Sequence, residues 1–98
     1  MNDERVLSFL RGLGEKYGAE KVVLFGSRAR GDNHMTSDYD VAFFGVKGSV
    51  NRSDIRYEAD ELAPTLKNVD VSFDDNLTEK FLQNIAKEGI VLYERNKT

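Results

Sequence analysis

Apolar positions recur along this chain with two different periods, and the alternation between them lays out the elements. From residue 3 to residue 17, Val6, Leu10, Leu13 and Tyr17 fall at steps of four, three and four, with Phe9 alongside. That spacing predicts one helix with a single apolar stripe, and Gly18 is suited to end it. Lys21 to Phe25 is a short run of β-branched and aromatic residues closed by Gly26, which reads as a buried strand. Residues 26–37 are rich in Gly, Ser, Arg, Asp and Asn and read as a loop or a short helical turn. Strand character returns from Asp38 to Phe44 and stops at Gly45; residues 45–51 then read as a flexible connection.

Ser53-Asp54 can cap a further helix in which Ile55, Ala59, Leu62 and Leu66 share a face, with Pro64 ending or distorting it near Leu62 or Ala63. Asn68 to Phe73 reads as a third strand, followed by a turn at Asp74-Asp75-Asn76. Thr78 suits the N-cap of a last helix, with Leu77 and Leu82 placed as a hydrophobic staple and Phe81, Leu82 and Ile85 as its core face. Gly89 ends that helix, and Ile90 to Tyr93 forms a final strand. Short strands separated by helices predict an α+β fold, a small mixed sheet with helices packed on it, formed as one domain over residues 1–98.

Composition narrows the chemistry. With no cysteine, disulfides and thiolate metal sites are excluded, and the single histidine, His34, cannot build a structural zinc site. A metal here is held by oxygen, which favours Mg²⁺, Mn²⁺ or Ca²⁺. The N-terminus lacks the apolar core of a signal peptide, and no run is long enough to span a membrane, so the cytoplasm is the expected compartment. A formal net charge of −3 gives no bulk basic surface, and no long nucleic acid is expected as a partner. Ninety-eight residues bury only a modest core, which leaves room for a partner or self-association to add stability.

The informative stretch is Gly26-Ser27-Arg28-Ala29-Arg30-Gly31 followed by Ser37-Asp38-Tyr39-Asp40-Val41. Side chains on a strand alternate between faces, so Asp38 and Asp40 point one way and Tyr39 and Val41 the other. Carboxylates this close repel unless a cation lies between them, and phosphoryl chemistry supplies that cation. Asp70, between Val69 and Val71, is the only acid embedded in the third strand and is placed to complete the clamp. Gly26 permits close approach by a phosphate, the Ser27 hydroxyl adds a donor, and Arg28 and Arg30 are cationic neighbours able to meet the same anion. Each part alone is ordinary: Gly-Ser after a strand is a turn, Asp-x-Asp at a strand start is solvated acid. The ordered combination is what carries chemistry. Asp74 and Asp75 read as turn residues, and His34 and Lys47 as solvated loop residues.

This stretch closely resembles the signature of the DNA polymerase β-like nucleotidyltransferases, and more narrowly the minimal nucleotidyltransferase (MNT) family of bacteria and archaea. Chain length, element order and the closing Glu88-Gly89-Ile90-Val91-Leu92-Tyr93-Glu94 are similar to that family too. The resemblance implies that Gly26 and Ser27, with Arg28, Arg30 and Ser37, hold the triphosphate of ATP or another nucleoside triphosphate. It implies that Asp38 and Asp40 bind two Mg²⁺ ions, with Mn²⁺ as a substitute, and that Asp70 is the third ligand and helps activate the acceptor hydroxyl. Larger relatives append helical domains that grip their acceptors, and none is expected here. The resemblance further suggests an antitoxin that adenylylates a tyrosine on a HEPN-domain toxin. Two alternatives stay open: a nucleotide-binding antitoxin that acts by contact, and transfer to a small molecule such as an aminoglycoside.

Overall fold

Two helices occupy one face of a four-stranded sheet and a third helix covers part of the other, in a computed structural model that describes residues 2–32, 34 and 37–95. In chain order the elements are α1 (Glu4–Lys16), β1 (Lys21–Phe25), α2 (Ser27–Arg30), β2 (Tyr39–Phe44), α3 (Ser49–Glu61), β3 (Val69–Phe73), a 3-10 turn (Asp74–Asn76), α4 (Glu79–Glu88) and β4 (Ile90–Glu94). The sheet order is β3-β2-β1-β4. β1 is antiparallel to both β2 and β4, whereas β2 and β3 run parallel, so the sheet is mixed as expected. Parallel neighbours need a crossover, and α3 provides it. Among the described residues, no helix is long and apolar enough to cross a membrane.

The main core forms where alternate strand residues meet the helix stripes. Val6, Leu10 and Leu13 of α1 and Ile55 and Ala59 of α3 are buried with Val22, Leu24, Tyr39, Val41, Phe43, Val69 and Phe73 from the sheet. A β-bulge between Val22 and Val23 on the β1–β4 ladder lets the successive residues Leu92 and Tyr93 both reach this core. Arg11 ties α1 to β4 by donating its Nε hydrogen to the Leu92 carbonyl at 2.9 Å. On the opposite face, Ile85 of α4 packs with Val23 and Ala42, flanked by Phe25, Phe44 and Leu77.

Four expectations are corrected. Ser53-Asp54 does not cap α3; the helix starts at Ser49 from Gly48, whose φ of 88° turns the chain. Asn51 donates to the Lys47 carbonyl, while Arg52 donates to the Val46 carbonyl and forks onto Asp75, so the connection is pinned rather than loose. Leu62 and Leu66 do not join the core face: the helix ends at Glu61, and Leu66, beyond Pro64, lies fully in solvent. Phe81 is 52% exposed rather than buried, although Thr78 caps α4 as expected by accepting from the Phe81 N–H. Residues 33, 35 and 36 of the loop lie outside the described residues.

Two glycines in α1 give opposite outcomes for the same substitution. A Cβ at Gly14 would lie 2.6 Å from Val22 Cγ2 and 2.9 Å from Tyr93 Cδ2, whereas at Gly12 it would meet nothing within 4 Å. Helix propensity alone favours alanine at both positions. Gly12→Ala is therefore expected to stabilise the protein by ~0.5–1 kcal/mol. Gly14→Ala is expected to destabilise it by ~1–3 kcal/mol through overpacking. Denaturant titration of the two variants checks this, and equal shifts would contradict the close approach of α1 to β1 and β4.

Candidate active site

Strand register brings the site together. In the parallel β2–β3 ladder Asp40 pairs directly with Asp70, and in the antiparallel β1–β2 ladder Asp40 pairs with Phe25. Tyr39, Val41, Val69 and Phe73 turn into the main core, so Asp40 and Asp70 share the opposite face, the one α4 covers only in part. Asp38 lies one residue before β2, near enough that its charge bears on Asp40.

The Asp40 carboxyl is raised above its ordinary pKa, first by burial and then by the charges of Asp70 and Asp38, with Arg30 pulling weakly the other way. Among the described residues, none of the three acids forms an ion pair or a side-chain hydrogen bond. Their donor chemistry, oxygen only and negatively charged, fits a hard divalent cation. As the side chains stand, however, no three His, Cys, Asp or Glu groups among the described residues are gathered closely enough to hold a metal ion. The backbone sets Asp40 and Asp70 side by side, and side-chain torsions would have to complete the closure.

Gly26 makes this placement possible. Its φ of 77° turns the chain out of β1 into α2, and a Cβ there would lie 2.5 Å from Asp40 Oδ2. The glycine therefore admits the Asp40 carboxylate as well as leaving backbone accessible. A Gly26→Ala change would move the acid and cannot serve as a probe of phosphate binding alone. Ser27 opens α2 with its hydroxyl making no hydrogen bond among the described residues.

The two arginines separate. Arg30 is on the cleft side, 3.2 Å from Asp32 and 3.6 Å from Glu88, and lines a cavity of about 210 Å³ with Phe25, Gly26, Asp40, Phe81, Asn84 and Glu88. Arg28 is 4% exposed and turned inward. Its guanidinium lies 4.1 Å from the centre of the Tyr39 ring, donates to the Ser37 carbonyl at 3.0 Å and reaches Asn2 Oδ1 at 3.3 Å. The expectation that Arg28 meets the same anion as Arg30 is thus corrected, because its charge is satisfied on the core side of the sheet. Ser37 is likewise engaged within its own loop: its Oγ accepts from the His34 N–H at 2.8 Å. Together these contacts fix the segment that delivers Asp38. Phe81, Asn84 and Glu88 of α4 were not singled out as site residues from the sequence, where Phe81 was indistinguishable from a core aromatic.

Residues 11–98 match the family described as Polymerase beta, Nucleotidyltransferase. A protein of Methanocaldococcus jannaschii, provisionally named a protein adenylyltransferase, is 32% identical over 106 aligned residues that cover 95% of this chain and all of the relative. Two solved structures share the fold. One is an MntA–HpeT toxin–antitoxin in which two aspartates, two positions apart, are changed to glutamate. It has a TM-score of 0.71 and 19% identity, and covers 93% of this chain and 75% of that one. The other is a toxin–antitoxin with AMP-PNP, with a TM-score of 0.70 and 20% identity, covering 99% and 77%.

Two predictions follow from the electrostatics. Because Asp40 titrates higher in the folded chain than in the unfolded one, the folded state holds its proton more tightly. Its ionisation therefore opposes folding: the penalty is full at neutral pH and disappears as pH falls below the ordinary carboxylate range near ~4. Asp40→Asn is expected to raise the melting temperature in EDTA at pH 7 by a few degrees, with the gap closing on acidification. A lower melting temperature at pH 7 would refute the repulsion. Arg28→Lys loses the flat stack on Tyr39 and the forked donor geometry, and should destabilise the fold by ~1–3 kcal/mol in urea titrations.

Proposed function

Since the chain belongs to the polymerase β nucleotidyltransferase family and is a nucleotidyltransferase, we propose that it transfers AMP from ATP to a tyrosine hydroxyl of a HEPN-domain toxin and thereby acts as its antitoxin. The observation that supports this most is the in-register pair Asp40–Asp70 beside Gly26-Ser27, with Asp38 at the entry to β2. The M. jannaschii relative is named for protein adenylylation, and the two structures of like fold described above are toxin–antitoxin complexes, one of them with an ATP analogue.

On this reading Asp38 and Asp40 hold Mg²⁺, with Asp70 as the third ligand. The metal, when bound, neutralises charge on the phosphates during in-line displacement. Ser27 donates its hydroxyl to the triphosphate, and Arg30, at the cleft edge, adds positive charge toward it. Asp70, exposed on the outermost strand, accepts the proton of the incoming hydroxyl. That oxygen bonds to the α-phosphorus as the bond from the α-phosphorus to the bridging oxygen of the β-phosphate breaks, and pyrophosphate leaves with its electrons. Arg28 acts only through Ser37 and Asp38, as a positioning residue.

Ser27→Ala should weaken Mg-ATP binding by ~0.5–1.5 kcal/mol without unfolding the protein, the amount one hydrogen bond contributes. The decisive experiment replaces Asp38 and Asp40 together by Asn, which keeps size and hydrogen-bonding capacity but removes charge. Transfer of α-labelled AMP to the co-expressed toxin is expected to fall at least 10²-fold, and protection of the cells to disappear. Full protection without label, with the complex still isolated intact, would overturn catalysis and favour an antitoxin acting by contact.

A further inference from the structure

One wall of the cleft beside Asp40 belongs to α4 rather than to the motif. Phe81, Asn84 and Glu88 fall at i, i+3 and i+7, so they form a single stripe along the helix, and all three line the same cavity as Gly26, Arg30 and Asp40. Ile85, next to Asn84, is buried against Val23 and fixes how the helix lies on the sheet. Phe81 is half-exposed although its position on an amphipathic helix would allow burial. Asn84 is exposed, and its amide makes no hydrogen bond among the described residues. Glu88 is paired with Arg30 at 3.6 Å. The stripe therefore presents an apolar ring, then an unengaged amide, then a carboxylate 3.6 Å from the Arg30 guanidinium.

An aromatic face beside one group that both donates and accepts is the chemistry that recognises a flat heterocycle with polar edges. The cavity, about 210 Å³, is smaller than a site that encloses a whole drug-sized ligand. It suits one ring system, with the remainder of the ligand leaving past Gly26 and Asp40. We propose that Phe81 and Asn84 form the nucleobase subsite of the transferase, with the base lying on the Phe81 ring and Asn84 selecting adenine. A carboxamide offers one acceptor and one donor on the same side, which matches the paired donor and acceptor on an adenine edge. Guanine presents two adjacent donors on its N1/N2 edge and calls for a carboxylate instead. This subsite rests on the transferase reading above and supplies its base preference.

The test compares ligands with and without a base. Calorimetry measures Mg-ATP, Mg-GTP and Mg-tripolyphosphate against the full chain and against Phe81→Ala, Asn84→Ala and Asn84→Asp. Circular dichroism verifies folding, which these exposed positions should not disturb. The chain is expected to bind ATP at least tenfold more tightly than tripolyphosphate or GTP. Phe81→Ala should bring ATP close to tripolyphosphate while leaving tripolyphosphate unchanged. Asn84→Ala should erase the preference for ATP over GTP, and Asn84→Asp should reverse it. Unchanged ATP affinity in Phe81→Ala, or an unchanged base preference in both Asn84 variants, overturns the subsite while leaving the transferase reading intact. Failure of the full chain to bind either ATP or tripolyphosphate overturns the transferase reading, and the subsite falls with it.

Discussion

Two carboxylates placed opposite each other on neighbouring strands work against the fold that carries them. Asp40 and Asp70 face each other in register, and burial with mutual repulsion raises the Asp40 carboxyl above its ordinary pKa. Like charges in this relation destabilise a sheet, so the apposition has to be imposed by something stronger. The structure imposes it from the opposite face. Tyr39, Val41 and Phe43 alternate with Asp40 along β2, Val69 and Phe73 alternate with Asp70 along β3, and these side chains are packed under α1 and α3. A slip of one residue in either strand would bury an acid and expose an aromatic, so the hydrophobic register fixes the acidic one.

The same constraint explains the loop between β1 and β2. Asp40 needs room toward Gly26, and only a residue without Cβ leaves it. Asp38 has to enter β2 in the right direction, and the buried Arg28, stacked on Tyr39 and bonded to the Ser37 carbonyl, holds that entry. A cation pointing into the core beneath a cluster of anions is unusual for a surface turn. Here it ties the turn and the strand start to one aromatic ring.

Much of this was legible in the chain. The alternation of Asp38-Tyr39-Asp40-Val41, the Gly-Ser ending β1 and the acid inside Val69-Asp70-Val71 sufficed to predict the fold class and to single out the three acids, because period-two patterning and backbone punctuation are local signals. Features that depend on distant partners were not legible. Arg28 and Arg30 are two residues apart in one short turn and look alike, yet one meets Tyr39 and the other Glu88, and nothing local separates them. Ile55, Ala59, Leu62 and Leu66 continue one helical stripe on paper, but Pro64 ends α3 before the last two can join it. Phe81 sits at a plausible core position, and only the arrangement of α4 over part of the sheet turns it toward the cleft.

That partial cover also divides the site. α4 lies over the β1 side of the sheet and supplies one wall of the cavity that reaches Asp40. Asp70 stands on β3, the outermost strand on the other side, where it is exposed. Asp40 lies between the two. On the proposed reading a triphosphate enters along the α4 side and the acceptor hydroxyl arrives across the β3 edge, so the two substrates meet at Asp40 without sharing a pocket. At that edge Asp70 shares a recess of about 230 Å³ with Arg56 and Asp60 of α3. A protein acceptor brings its own surface to an exposed edge, and an edge strand with Asp70 in its second position leaves such a surface room to present one side chain. The asymmetry of the sheet, helix on one side of the acids and open edge on the other, thus leaves the acceptor side of the proposed site accessible to a folded partner.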